Sequence, residues 1–223
     1  MKKLTPFSTL PVRLIRFFFR KCSELLLAGA IRLPCFHFVK NTNGNGNGCT
    51  FRFWFFQKVL GFNRGAYWPV DFRSKVNQWK HVYVGIDSAP GIEPGCYIQG
   101  IGKIYIGDYV RIAANVGLIS ANHDLSDLRE HVRGSLRIGS YSWIGMNSII
   151  LPDVELGDFT IVAAGSVVTK SFTEGYCVIG GNPASVLRVL DPLECERYQN
   201  EHEYHGFVRA VEFDEFRRKN LWL

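Results

Sequence analysis

The sequence predicts an all-β fold, a triangular prism wound as a parallel β-helix, and three observations predict it. Six-residue units run without a gap from Ile138: IGSYSW, IGMNSI, ILPDVE, LGDFTI, VAAGSV and VTKSFT. Upstream, IGDYVR, IAANVG and LISANH start at Ile106, Ile112 and Leu118. All nine first positions are Ile, Leu or Val, although these supply only 54 of the 223 residues. Chance would give that on the order of once in 10⁴–10⁵. Fifth positions are small or β-branched in eight of nine units, and Gly or Ala fills six of nine second positions.

A period of six suits neither a helix nor a lone strand. It suits a short strand followed by a corner, with the aliphatic first residue inward, a small residue near the corner and glycine easing the bend. Three such sides close a coil of 18 residues, and coils stack at the strand spacing of about 4.8 Å.

The elements follow in order. Residues 1–48 form a basic apolar arm that ends in Asn43-Gly44-Asn45-Gly46-Asn47-Gly48, read as a flexible boundary loop. Residues 49–81 are aromatic-rich and read as an irregular lead-in packed on the main domain. The prism occupies 82–190, with weaker units at Ile92 and Ile98. The repeat breaks after His123 and resumes at Ile138, so residues 124–137 (DLSDLREHVRGSLR) are an extruded loop. Such loops usually carry function. Residues 191–223 are net −3 and read as one or two short helices capping the prism. His202 and His205 are three apart there, read as a solvated helix face because no carboxylate–histidine set completes a metal site.

A chain of this length buries about 70% of its unfolded surface and needs no staple. Its six cysteines contain no CxxC pair and read as free, mostly buried thiols of a reducing cytoplasm. The net charge of +6 is uneven: residues 1–40 carry +7 and residues 41–223 sum to −1. No RNA-recognition or zinc-finger signature accompanies it, so nucleic acid is not an expected partner. The longest uncharged runs of the arm are seven residues, and a spanning helix needs about 20. Charges at Arg13, Arg16, Arg20 and Lys21 break the core that a signal peptide requires. Two destinations fit the arm: an anionic membrane surface, or the protein's own body or partner subunit.

The blocks SANHD with its loop, IGSYSWIG, ILPDVELGD, VAAGSVVTK and GGNPASVLR resemble the hexapeptide-repeat acyltransferases, whose prisms are left-handed β-helices. The likeness is to the galactoside, maltose and serine acetyltransferases, above all to members that O-acetylate sugars and surface polysaccharides. It implies a homotrimer with acetyl-coenzyme A between adjacent prisms and no metal. His123 matches the family's general base. Met146 and Ala164 match residues beside the pantetheine arm, and Thr169, Lys170 and Arg188 match positions near the adenosine and its phosphates. Lysine and arginine suit phosphate chemically. Glu93, Asn122, Asp124, His131 and Trp143 are the candidate acceptor contacts, with Asp124 a candidate to orient His123 or the acceptor.

The resemblance implies acetyl transfer to a sugar hydroxyl in capsule, O-antigen or exopolysaccharide synthesis. It leaves open an amine of a nucleotide sugar, the hydroxyl of serine, or an inactive trimeric scaffold. A carbonic anhydrase of the same fold needs three histidines on adjacent coils, and residues 138–190 contain none. The expected location is cytoplasmic, peripheral to the membrane if the arm binds it.

Overall fold

All nine first-position aliphatics point inward, each no more than 4% exposed, and they stack into one core. The computed structural model describes residues 29, 33 and 36–223. Three parallel sheets form three faces. The first face holds Val82–Val84, Lys103–Ile106, Ser135–Ile138 and Glu155–Leu156. The second holds Arg111–Ile112, Trp143–Ile144, Thr160–Val162 and Cys177–Gly181. The third holds Lys75–Asn77, Tyr97–Gln99, Gly117–Ile119, Ile149–Ile150 and Val167–Val168. The chain visits them in the order first, second, third. Strand Ala184–Val189 folds back antiparallel on Cys177–Gly181 and ends the prism.

Corner chemistry differs from expectation in one respect. Second-position glycine does not ease the bends, although Gly165 at the fourth place of its unit does, with φ 72°. The positive φ falls on the fourth residue of the unit: Tyr109, Asn115, Tyr141, Asn147, Asp153 and Phe159 all lie between 54° and 62°. The second-position glycines answer a different need, which is backbone approach between coils. A Cβ on Gly139 would sit 2.4 Å from the Asp158 nitrogen, and one on Gly145 2.6 Å from the Ala164 nitrogen. Fifth positions are small because they are buried inside the corners. Ser148 Oγ donates to the Ala163 carbonyl (3.0 Å) and accepts from the Ser166 N–H of the next coil (3.3 Å).

Three boundaries shift. The prism begins at Lys75, not 82, because Lys75–Asn77 already pairs in register with Tyr97–Gln99. The extrusion spans 121–134, not 124–137: Ser135–Ile138 is a first-face strand, and Leu136 is fully buried against the core. The Asn/Gly segment is pinned rather than loose. Asn47 donates its backbone N–H to Asp87 Oδ1 (2.9 Å) and its side-chain amide to the carbonyls of Asp87 (2.6 Å) and Val110 (3.1 Å). Within residues 49–81, Gln57, Trp68 and Val70 are fully buried. Cys49, Cys96, Cys177 and Cys195 are free; Cys22, Cys35 and the arm through 28 lie outside the described residues.

The tail forms one α-helix, Ala210–Asn220, and it sits where the coils begin. Phe213 packs on Tyr67 and Tyr83, and the Trp222 N–H donates to the Lys80 carbonyl. To get there, residues 197–203 run back along the corner between the first and second faces. That corner carries a column of rings, Tyr109–Tyr141–Phe159–Tyr176, at centroid spacings of 5.1, 4.9 and 5.1 Å. Arg197 lies over Tyr141 and Phe159 and pairs with Asp158 at 2.7 Å.

His205 is not on a solvated helix face. It lies in strand Tyr204–His205, 7% exposed, its ring stacked 3.7 Å from Phe213 and its Nδ1–H donating to the Val84 carbonyl (2.9 Å). Burial pushes its pKa below the ordinary 6.5. The neutral form is therefore the one the fold stabilises, so its contribution is present above about pH 6.5 and lost as the pH falls. Melting temperature should fall more between pH 7.5 and 5.5 for the wild type than for His205→Gln, whose amide can donate to Val84 without charging. Equal falls would remove His205 from the acid response.

Candidate functional site

A hairpin leaves the prism where the third face turns into the first. Its neck is Ser120, fully buried, whose Oγ accepts the Gly102 N–H (2.9 Å) and donates to the Gln99 carbonyl. The Gly134 N–H closes the neck on the Ser120 carbonyl at 2.8 Å. Strands Ala121–His123 and His131–Arg133 then run antiparallel, with His123 opposite His131. The two rings lie 4.4 Å apart at 39°.

His123 is exposed, and its Nδ1 lies 2.7 Å from the Leu128 carbonyl. A carbonyl only accepts, so the proton of the neutral ring belongs on Nδ1. Nε2 is left with its lone pair, which is the form a general base needs. Asp124 does not orient the ring. Its Oδ1 accepts from the N–H groups of Ser126 (2.7 Å) and Asp127 (3.2 Å) and from the Ser126 hydroxyl (2.5 Å). Those bonds hold its carboxyl below the usual range and close the turn that presents Leu128. Sequence reasoning missed Leu128, since a carbonyl has no residue-type signature. It also missed Gln99, whose Oε1 accepts the Ala121 N–H (2.9 Å).

The remaining candidates divide among edges. Asn122, His123, Asp124 and His131 share the hairpin. Thr169 and Lys170 lie on the same edge, two coils further along, about 10 Å at ordinary strand spacing. Met146 and Ala164 lie at the opposite edge of the third face, where the Met146 carbonyl accepts the Gly165 N–H (2.8 Å). Glu93, exposed, shares that edge: it precedes Tyr97–Gln99, whereas His123 follows the neighbouring parallel strand Gly117–Ile119. Trp143 points outward from the second face, 53% exposed, and Arg188 pairs with Val178 there. One chain therefore does not bring His123 together with Met146, Ala164 or Glu93. Among the described residues no group of three His, Cys, Asp or Glu is placed to hold a metal ion. No helix among them is long and apolar enough to cross a membrane.

The family model for the bacterial transferase hexapeptide (six repeats) matches residues 135–170. A galactoside O-acetyltransferase of Lactococcus lactis is 32% identical over 119 residues, 51% of this chain and 53% of its own. A Saccharomyces cerevisiae protein is 40% identical over 93 residues, 40% of this chain and 46% of its own. The chain thus spans about half the length of the curated relatives it matches. Among solved structures, a galactoside acetyltransferase in complex with coenzyme A superposes with a TM-score of 0.52 at 27% identity, over 64% of this chain and 70% of that one. A maltose O-acetyltransferase of Clostridium difficile, at 24% identity and a TM-score of 0.51 over 70% and 84%, shares the fold.

Proposed function

Because the hexapeptide family model matches residues 135–170 and the chain resembles acetyltransferases over about half their length, we propose that it is a hexapeptide-repeat acyltransferase that transfers an acetyl group from acetyl-coenzyme A to a sugar hydroxyl. We place that reaction in the assembly of a bacterial surface polysaccharide, carried out by a homotrimer of left-handed prisms. The observation that carries the reading is His123, held on an extruded hairpin with Nδ1–H committed to Leu128 and Nε2 open.

A sugar hydroxyl does not ionise at neutral pH. His123 Nε2 takes its proton as the oxygen attacks the thioester carbon. The tetrahedral intermediate then expels the coenzyme thiolate, which recovers the proton from the imidazolium. Base catalysis of this kind contributes about 10²–10⁴-fold. Among the described residues no Ser–His or Cys–His pair accompanies His123, which favours direct transfer over an acyl-enzyme. In this reading the pantetheine arm runs past Met146 and Ala164, and Thr169, Lys170 and Arg188 meet the adenosine end. Asn122, Asp124, His131, Trp143 and Glu93 are the acceptor-side candidates.

The division of the site supports the trimer. His123 and the Met146–Ala164 edge flank opposite sides of one face, so in this reading a neighbouring chain supplies the second wall. The third face between them is suited to that contact, presenting Gly117, Ile119, Ile149 and Val167 outward. Light scattering should give about three times the 25.3 kDa chain mass; a single-chain particle at micromolar concentration contradicts it. Thiol release from acetyl-coenzyme A should rise when methyl galactoside, maltose or a nucleotide hexose is added. A panel in which only amino sugars raise the rate would replace the hydroxyl acceptor by an amine. A charge-assisted phosphate contact is worth about 1.5–3 kcal/mol, so Lys170→Ala and Arg188→Ala should each raise the donor KM about tenfold or more. An unchanged KM removes that residue from the coenzyme site.

We place the enzyme in the cytoplasm, where its basic arm, outside the described residues through 28, would associate with an anionic membrane and bring the enzyme to lipid-linked glycans.

A further inference from the structure

A second surface lies outside the catalytic reading. The short helix Phe51–Trp54 continues as a π-helical turn, Phe55–Val59. This turn and the loops after it leave Phe55, Val59, Leu60, Phe62 and Phe72 between 37% and 51% exposed. They form one surface rather than scattered strays. Phe56 stacks on Phe72 at 5.1 Å and reaches Phe55 at 6.2 Å and Phe62 at 6.4 Å; Phe62 and Phe72 are 5.9 Å apart. A contiguous exposed apolar patch marks an interaction site.

The rim of this patch is cationic. Arg52 lies 6.0 Å over the Phe56 ring and Arg73 5.3 Å over Phe72. Arg73 pairs with Asp71, whereas Arg52 and Arg64 make no ion pair among the described residues. Lys58 is turned inward, its Nζ donating to the carbonyls of Arg64 and Ala66 at 2.8 Å each. Residues 49–80 hold six Lys or Arg and one acid, Asp71, while residues 81–223 are net −6. The segment that carries the rings is thus the net-positive part of the described body, and Arg52 and Arg73 lie on the rings themselves.

We propose that this patch docks on a bilayer containing anionic phospholipid, with the phenylalanine rings at headgroup depth and Arg52, Arg64 and Arg73 on the lipid phosphates. Charge decides the occupant. The chain's own arm is +7 over residues 1–40 and shares the sign of the rim, as would the same patch of a second copy. An anionic bilayer is complementary in both respects, apolar within and negative at its surface. Position agrees. The described chain enters at Phe36, whose ring lies 5.4 Å from Phe51 and 4.7 Å from Trp54, so the arm joins the body beside the patch. The inference adds a second membrane contact to the one read for the arm, and it does not depend on acetyl transfer.

The test uses the full chain with vesicles of phosphatidylcholine, with and without phosphatidylglycerol. The wild type should sediment with the anionic vesicles, and those vesicles should slow amide exchange in residues 51–73 as well as in the arm. Phe55→Ser/Phe62→Ser/Phe72→Ser should lower the partition coefficient about tenfold or more with thermal unfolding unchanged. Arg52→Glu/Arg64→Glu, which leaves the rings intact, should do the same and gives a second reading if the serine variant folds poorly. Three results overturn the proposal: no sedimentation, protection confined to residues 1–40, or protection of 51–73 in the assembled protein before vesicles are added. Variants that sediment like the wild type also overturn it.

Discussion

His123→Ala should lower kcat by about 10²–10⁴-fold while leaving coenzyme affinity and assembly intact. The ring is exposed and belongs to the hairpin, not to the core, so its removal opens no cavity. In the proposed mechanism, what disappears is the acceptor for the hydroxyl proton. Nδ1 faces the Leu128 carbonyl at 2.7 Å, which on that proposal makes Nε2 the working atom. His123→Asn can keep a donor toward Leu128 but offers no base in place of Nε2, and it should be nearly as slow as the alanine variant. His131 lies 4.4 Å away ring to ring and is the alternative base. Retention of more than about a third of wild-type kcat by His123→Ala, with His131→Ala inactive, would transfer the role to His131.

The second large effect is structural. Gly139→Ala should cost about 3 kcal/mol, at the upper end of overpacking penalties. The new Cβ would lie 2.4 Å from the Asp158 nitrogen and from the Gly157 carbonyl carbon. Both are backbone atoms of the next coil, and neither can rotate away. Gly165→Ala is the control. Gly165 has φ +72° but no atom within 4 Å of its Cβ position, so alanine there meets only the left-handed penalty of about 1–2 kcal/mol. Urea unfolding of the two variants separates coil spacing from backbone conformation as the reason for glycine in the repeat. A smaller cost at 139 than at 165 would contradict the spacing argument.

The prism was legible because its core repeats in the sequence itself. Ile106 through Val168 occupy one column position each, and a period of six exposes them. The beginning was not legible, because Lys75–Asn77 contributes one aliphatic and no repeat. The hairpin edges were misplaced by three residues for a specific reason. Ser135–Ile138 buries two side chains, Leu136 and Ile138, whereas the six-residue frame marks one. The tail was misread because its partners are remote in sequence: His205 meets Val84, and Arg197 meets Asp158. The ring column had a signal, an aromatic at the fourth place of the units starting at Ile106, Ile138 and Leu156, but it becomes meaningful only once those units are known to share a corner. Of the candidate site, the sequence block singled out His123, whose role as base stays a proposal. Its orienting partner was not legible, because Leu128 acts through its backbone.

The central claim is that the chain makes an ester on a sugar hydroxyl with His123 as base. The most direct measurement is mass spectrometry of activated sugars and lipid-linked oligosaccharides incubated with isotopically labelled acetyl-coenzyme A and the full chain. The account predicts one labelled acetyl per acceptor, lost on mild alkaline hydrolysis as an ester is, and product reduced about a hundredfold or more with His123→Ala. An alkali-stable acetyl on an amine, or undiminished product from the variant, would contradict it.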